Sequence, residues 1–209
     1  MRFRNLDLIF ATALAAGMAY FVVRRMGFGD EGWVIALKGV CVGTMAVWAG
    51  LQAKRLDGWL VAAVLALGAL GDVLIETHGL NAGALAFLAG HVVAIGLYLR
   101  NRSGKLWVAL AVTLAVTAVA WWLPAARGLA GGIALYSAGL GAMAGTALIS
   151  RFARDNVGLG ALLFVASDLL IFSEIGPLHG SAIPGLLIWP LYVAGQAAIA
   201  WGVVTRLRQ

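Results

Sequence analysis

Two carboxylates stand where the sequence is otherwise apolar: Asp72 in Leu70-Gly71-Asp72-Val73-Leu74-Ile75-Glu76, and Asp168 in Ala166-Ser167-Asp168-Leu169-Leu170-Ile171-Phe172. An ionised side chain in hydrocarbon costs a few kcal/mol or more, so two acids in matching apolar settings point to function rather than chance. Around them the apolar runs also carry Lys38, His91, Tyr136, Tyr192 and Gln196. Helical spacing puts Asp72 and Glu76 on one face, and Tyr192 and Gln196 on another. Glu76 and Glu174 fall at helix ends, where a solvated interface role competes with a role in a site.

Lys38 with two aspartates leaves excess negative charge in a low dielectric, which protonation of one carboxyl or of His91 would relieve. One acid is then the ionised partner of Lys38 and the other a neutral proton donor, the pattern of acid-base hydrolysis. The alternative for Asp72 and Asp168 is a buried ion pair that only holds helices together. A zinc sphere from His78, His91, His179 and an aspartate is a further construction, but the spacing matches no compact ligand motif. Ser137, Ser150, Ser167, Ser173 and Ser181 lack the Gly-x-Ser-x-Gly elbow of a serine hydrolase.

The elements that must carry these residues are membrane helices. The chain of 209 residues is 62% hydrophobic and 11% charged, with a mean hydropathy of +0.94, far from the composition of a soluble domain. Eight apolar runs, about 6–23, 33–51, 58–77, 82–99, 106–123, 130–149, 158–174 and 184–205, have the length that a hydrocarbon layer demands. The first follows a basic start and contains Ala11-Thr12-Ala13, yet its length and the closing Arg24-Arg25 predict a retained helix rather than a cleaved signal. Pro124, Pro177 and Pro184 mark helix ends, whereas Pro190 falls inside the eighth run and predicts a kink.

Eleven basic residues, including Arg2, Arg4, Lys54, Arg55, Arg102, Arg151 and Arg208, fall on one side, against Arg24, Arg25 and Arg127 on the other. That asymmetry predicts cytoplasmic termini in a bacterial inner or plasma membrane. The basic residues are dispersed, so the pI near 10.1 reflects topology and not a nucleic-acid partner. The lone Cys41 permits no intrachain disulfide.

Short connectors give one domain, 1–209. The echo of Gly71–Ile75 in Ser167–Ile171, four runs later, raises the possibility of two parallel four-helix halves. Counting depth at about 1.5 Å per residue puts Lys38, Asp72, His91, Tyr136, Asp168, Tyr192 and Gln196 in one slab, from the bilayer centre to its non-cytoplasmic side. They can line one cavity.

In order and spacing these residues resemble the YhhN-like membrane proteins, which include lysoplasmalogenase. The likeness rests on Lys38, Leu70-Gly71-Asp72, Phe87 to His91, Gly160-Ala161-Leu162-Leu163-Phe164 with Ser167-Asp168, and Tyr192 with Gln196. It departs where the family's Lys-Pro is Lys38-Gly39, and where a Tyr three residues after the histidine is Ala94, with Tyr98 one turn on. The resemblance implies eight transmembrane helices and hydrolysis of the vinyl-ether bond of lysoplasmalogens, to a fatty aldehyde and glycerophosphoethanolamine or glycerophosphocholine, without a cofactor. Asp72, Asp168 and His91 are then the expected catalytic groups. Lys38, Tyr136, Tyr192, Gln196, Ser167 and Glu76 are expected to meet the lysophospholipid. A transporter or lipid-binding protein using the same charges is the alternative.

Overall fold

The computed structural model describes residues 2–29 and 31–209, residues 2–5 by backbone alone, so the assignment of Arg2 and Arg4 to a membrane side lies outside the described side chains. The described residues form eight α-helices: α1 (Arg2–Arg25), α2 (Gly32–Gly50), α3 (Leu56–His78), α4 (Leu80–Arg100), α5 (Leu106–Trp122), α6 (Arg127–Leu148), α7 (Gly158–Glu174) and α8 (Ile183–Arg208). Seven are long and apolar enough to cross a membrane, and α5 is a shorter apolar helix of 17 residues. The chain is therefore a multi-pass helical membrane protein, the only soluble-free architecture besides a closed barrel that satisfies its backbone in lipid.

The chain divides into two compact units, Met1–Ala94 with Val203–Gln209, and Ile95–Gly202. In the first, α3 and α4 are joined through Gly79 alone, at φ 86°, a left-handed conformation that a side chain would strain. Gly71 and Gly83 let these two helices approach: a Cβ on Gly71 would lie 2.7 Å from the Phe87 ring, and one on Gly83 2.8 Å from the Gly71 carbonyl. Trp48 is fully buried on α2, against Phe10 of α1 at 4.7 Å between ring centroids.

In the second unit α5 and α6 pack tightly where Gly141 and Gly145 face the backbone of Thr113 and Ala109, the small-residue approach favoured between membrane helices. A π-helical turn (Ala153–Val157) leads into α7, with Asn156 left-handed at φ 69°, a conformation asparagine tolerates. The connector after α6 is tied to that after α4: the Ile149 carbonyl accepts the Ser103 and Gly104 N–H groups at 2.8 Å, and Arg151 N–H donates to Asn101. Pro190 lacks the donor for one helical bond, yet α8 continues past it to Arg208.

The crossing of α7 and α8 is made by Gly160 and Gly195, where a Cβ on either would lie 2.7 Å from the other's carbonyl. Gly160→Ala or Gly195→Ala should each lower stability by about 1–3 kcal/mol through overpacking. Gly131→Ala, which meets open space, should be neutral; thermal unfolding in detergent measures the difference.

Candidate functional site

The first unit gathers its polar residues at α2, α3 and α1. On α2, Val34, Lys38, Cys41, Val42 and Met45 form the buried stripe, so helical periodicity carries Lys38 inward with the apolar residues. Its ammonium donates to Glu76 Oε1 at 2.6 Å. The Lys38 and Glu76 side chains are only 10% and 18% exposed. Glu76 is thus drawn into an ion pair with Lys38 rather than left as a solvated interface residue.

Tyr20 of α1 completes this cluster. Lys38 Nζ lies 5.8 Å from the centroid of its ring, and its hydroxyl hydrogen-bonds with Glu76. Asp72, 3% exposed, sits one turn before Glu76 on α3, close enough for its charge to act on Tyr20 and on the buried thiol Cys41. Tyr20 did not stand out in the sequence, because tyrosine is common near the ends of membrane helices. His91, 4% exposed, lies one turn beyond Phe87, whose ring packs on Gly71 next to Asp72.

The second unit carries its carboxylate on α7, whose face bears Phe164, Asp168 and Phe172 one turn apart. The Tyr136 hydroxyl of α6 donates to Asp168 Oδ2 at 2.7 Å. The same tyrosine stands edge-on to Phe172, at 6.0 Å and 80°. Tyr192 of α8 stands edge-on to Phe164, at 5.2 Å and 81°. Asp168 is thereby flanked above and below by aromatic pairs, at 6% exposure, and Tyr136 is its hydrogen-bond partner among the described residues.

Gln196 Nε2 donates to the Tyr192 hydroxyl at 3.3 Å. Its Oε1 is buried with no donor among the described residues, as is Ser137 Oγ, next along α6 from Tyr136. Buried polar atoms are ordinarily satisfied, so an amide oxygen in this position is suited to receive a hydroxyl from a bound molecule. Ser167 donates to the Ile188 carbonyl at 2.9 Å, which fixes α7 against α8.

Among the described residues, no three His, Cys, Asp or Glu side chains gather as a metal would require. His78 is engaged with Thr77 at 2.8 Å, and His179 with the Glu174 carbonyl at 3.2 Å.

The Lys38–Glu76 pair is shielded enough to be costly to break on one side only. Lys38→Met and Glu76→Gln should each destabilise by about 2–4 kcal/mol, and the double variant by clearly less than their sum. Unfolding of the three variants in detergent completes the cycle, and additive losses would show that the pair is uncoupled.

No curated protein and no solved structure matches the chain. The YhhN family model matches residues 33–203, from the start of α2 to the last turns of α8. That stretch takes in Lys38, Asp72, Glu76, His91, Tyr136, Asp168, Tyr192 and Gln196, and the chain belongs to the YhhN family.

Proposed function

We propose that the protein is a membrane hydrolase of the lysoplasmalogenase type, cleaving the vinyl-ether bond of a single-chain ether phospholipid. The observation that carries this reading is Asp168: a buried carboxyl whose hydrogen-bond partner is an uncharged phenol, between aromatic pairs, in a chain of the YhhN family.

Vinyl ethers are cleaved by protonation at the β carbon, the slow step, which leaves an oxocarbenium ion on the carbon attached to oxygen. Water adds to that carbon and loses a proton, and the hemiacetal collapses to an aldehyde and the glycerol alcohol. Asp168, remote in its own unit from any described ion pair, is the acid that holds and delivers the proton. Tyr136 orients it by occupying Oδ2, which leaves Oδ1 to carry the proton. Tyr192 and Gln196, with the unsatisfied Oε1, meet the glycerol hydroxyl.

Asp72, in the first unit, is the second acid expected from the sequence and is suited to bearing charge. The Lys38–Glu76 ion pair lies one turn from it on α3. His91, also in the first unit, is the remaining group expected from the sequence to take part in proton transfer. The chain is oriented with both termini in the cytoplasm, so that a lysolipid enters sideways from the opposite leaflet.

Purified protein in detergent should release fatty aldehyde from vinyl-ether lysolipids and not from alkyl-ether or ester lysolipids of the same chain length. A transporter or lipid-binding protein releases none from any of the three. Asp168→Asn and Asp72→Asn should each lower turnover by about 10²–10⁴-fold with the fold intact. Tyr136→Phe should lower kcat by about 10-fold with little change in KM, since it positions the acid without holding the lipid. Full activity in both asparagine variants would refute the assignment.

A further inference from the structure

A second polar feature of the Ile95–Gly202 unit lies apart from Asp168, at the end of the unit where α5 turns into α6. Here the connector after α5 is locked to that after α7. The Ala125 N–H donates to the Ile175 carbonyl at 3.0 Å, and Gly176 lies so close to the Leu123 carbonyl that any Cβ would overlap it. The two connectors border an open hollow of about 500 Å³ lined by Trp121, Trp122, Pro124, Arg127, Gly176 and Pro177. Asp168 is roughly 10 Å away along α7, two turns deeper, so the hollow is not an extension of that carboxyl's surroundings.

Arg127 is built into this wall. Its guanidinium carbon sits 4.1 Å from the centroid of the Trp121 ring, and Nη1 donates to the Trp121 carbonyl at 3.0 Å and to the Pro124 carbonyl at 3.4 Å. Stacking and two carbonyl bonds fix the plane of the fork while using one of its three nitrogens. Nε and Nη2 have no partner among the described residues and keep their donors for a ligand. A guanidinium held this way is weakly hydrated and presents parallel N–H groups that match two oxygens of a phosphate. Among the described residues no acidic side chain lines the hollow to compete for it.

The surroundings select the source of that phosphate. The hollow opens at the ends of membrane-spanning helices, and Trp121 and Trp122 are 52% and 67% exposed there. Indole rings prefer the headgroup layer. At that depth the abundant anion is the phosphodiester of a phospholipid, whose glycerol carbons suit the tryptophan and proline walls.

We propose that the hollow is a binding site for a membrane phospholipid, its phosphate on Arg127 and its glycerol backbone against Trp122 and Pro177. The site is independent of the hydrolase reading, because no residue of it belongs to the proposed acid machinery.

Native mass spectrometry of the full chain, stripped of lipid and then given phosphatidylglycerol or a diacylglycerol with the same chains, tests the assignment. The wild type should retain one phosphatidylglycerol, with diacylglycerol held at least about tenfold less well; Arg127→Gln should lose about tenfold in phosphatidylglycerol retention. Trp122→Ala, which leaves the Arg127 contacts in place, should also weaken retention and serves if Arg127→Gln does not fold. Millimolar inorganic phosphate should not displace the lipid. Equal retention by wild type and both variants, or equal retention of diacylglycerol, would overturn the proposal. Displacement by inorganic phosphate would overturn the lipid as occupant in favour of a free anion.

Discussion

Hydrocarbon does not solvate charge, and the arrangement of this protein's polar residues follows from that constraint. The two units answer it differently. In the first, Lys38 and Glu76 neutralise one another across α2 and α3, with Tyr20 beside them and Asp72 one turn away. In the second, Asp168 has no such cation among the described residues and is met by the phenol of Tyr136 between two edge-on aromatic pairs. A carboxyl beside an ion pair and a carboxyl among aromatic rings are suited to different tasks, one to bearing charge and the other to moving a proton.

The glycines make these placements possible. Gly160 and Gly195 bring the backbones of α7 and α8 together at the position preceding Gln196, and Ser167 bonds across the same pair of helices to Ile188. Tyr192 and Gln196 are therefore held against the face of α7 that carries Phe164 and Asp168. In the first unit, Gly71 does the same for Asp72 by admitting the Phe87 ring, one turn from His91, where a side chain would collide with it. A site placed on helices that touch through glycine has little freedom to rearrange, which is what acid catalysis at a single carbon requires.

Much of this was legible in the sequence, and the limits have physical causes. Apolar run length marked all eight helices to within about three residues at most ends, since hydrophobic thickness is a strong constraint and the charged connectors are short. The intramembrane residues stood out because polarity in such a run is expensive. Partner choice was not readable. Glu76 looked solvated at a helix end and instead closes on Lys38, and Tyr20, which did not stand out in the sequence, joins that pair. Side-chain reach across helices decides both, and a linear pattern does not encode it. Pro190 falls inside α8, which runs on through it to Arg208, because neighbouring helices stabilise a proline in a membrane span. The Arg127 stack on Trp121 was equally hidden, as it depends on the turn between α5 and α6.

The central claim is that a carboxyl of this protein delivers a proton to carbon. The most direct measurement is to let the purified chain act on a vinyl-ether lysolipid in deuterium oxide, trap the aldehyde at once as the alcohol by reduction, and read its mass. Protonation at carbon predicts one deuterium on the carbon adjacent to the former aldehyde carbon. Aldehyde that forms without that deuterium, or no aldehyde at all, would contradict the account.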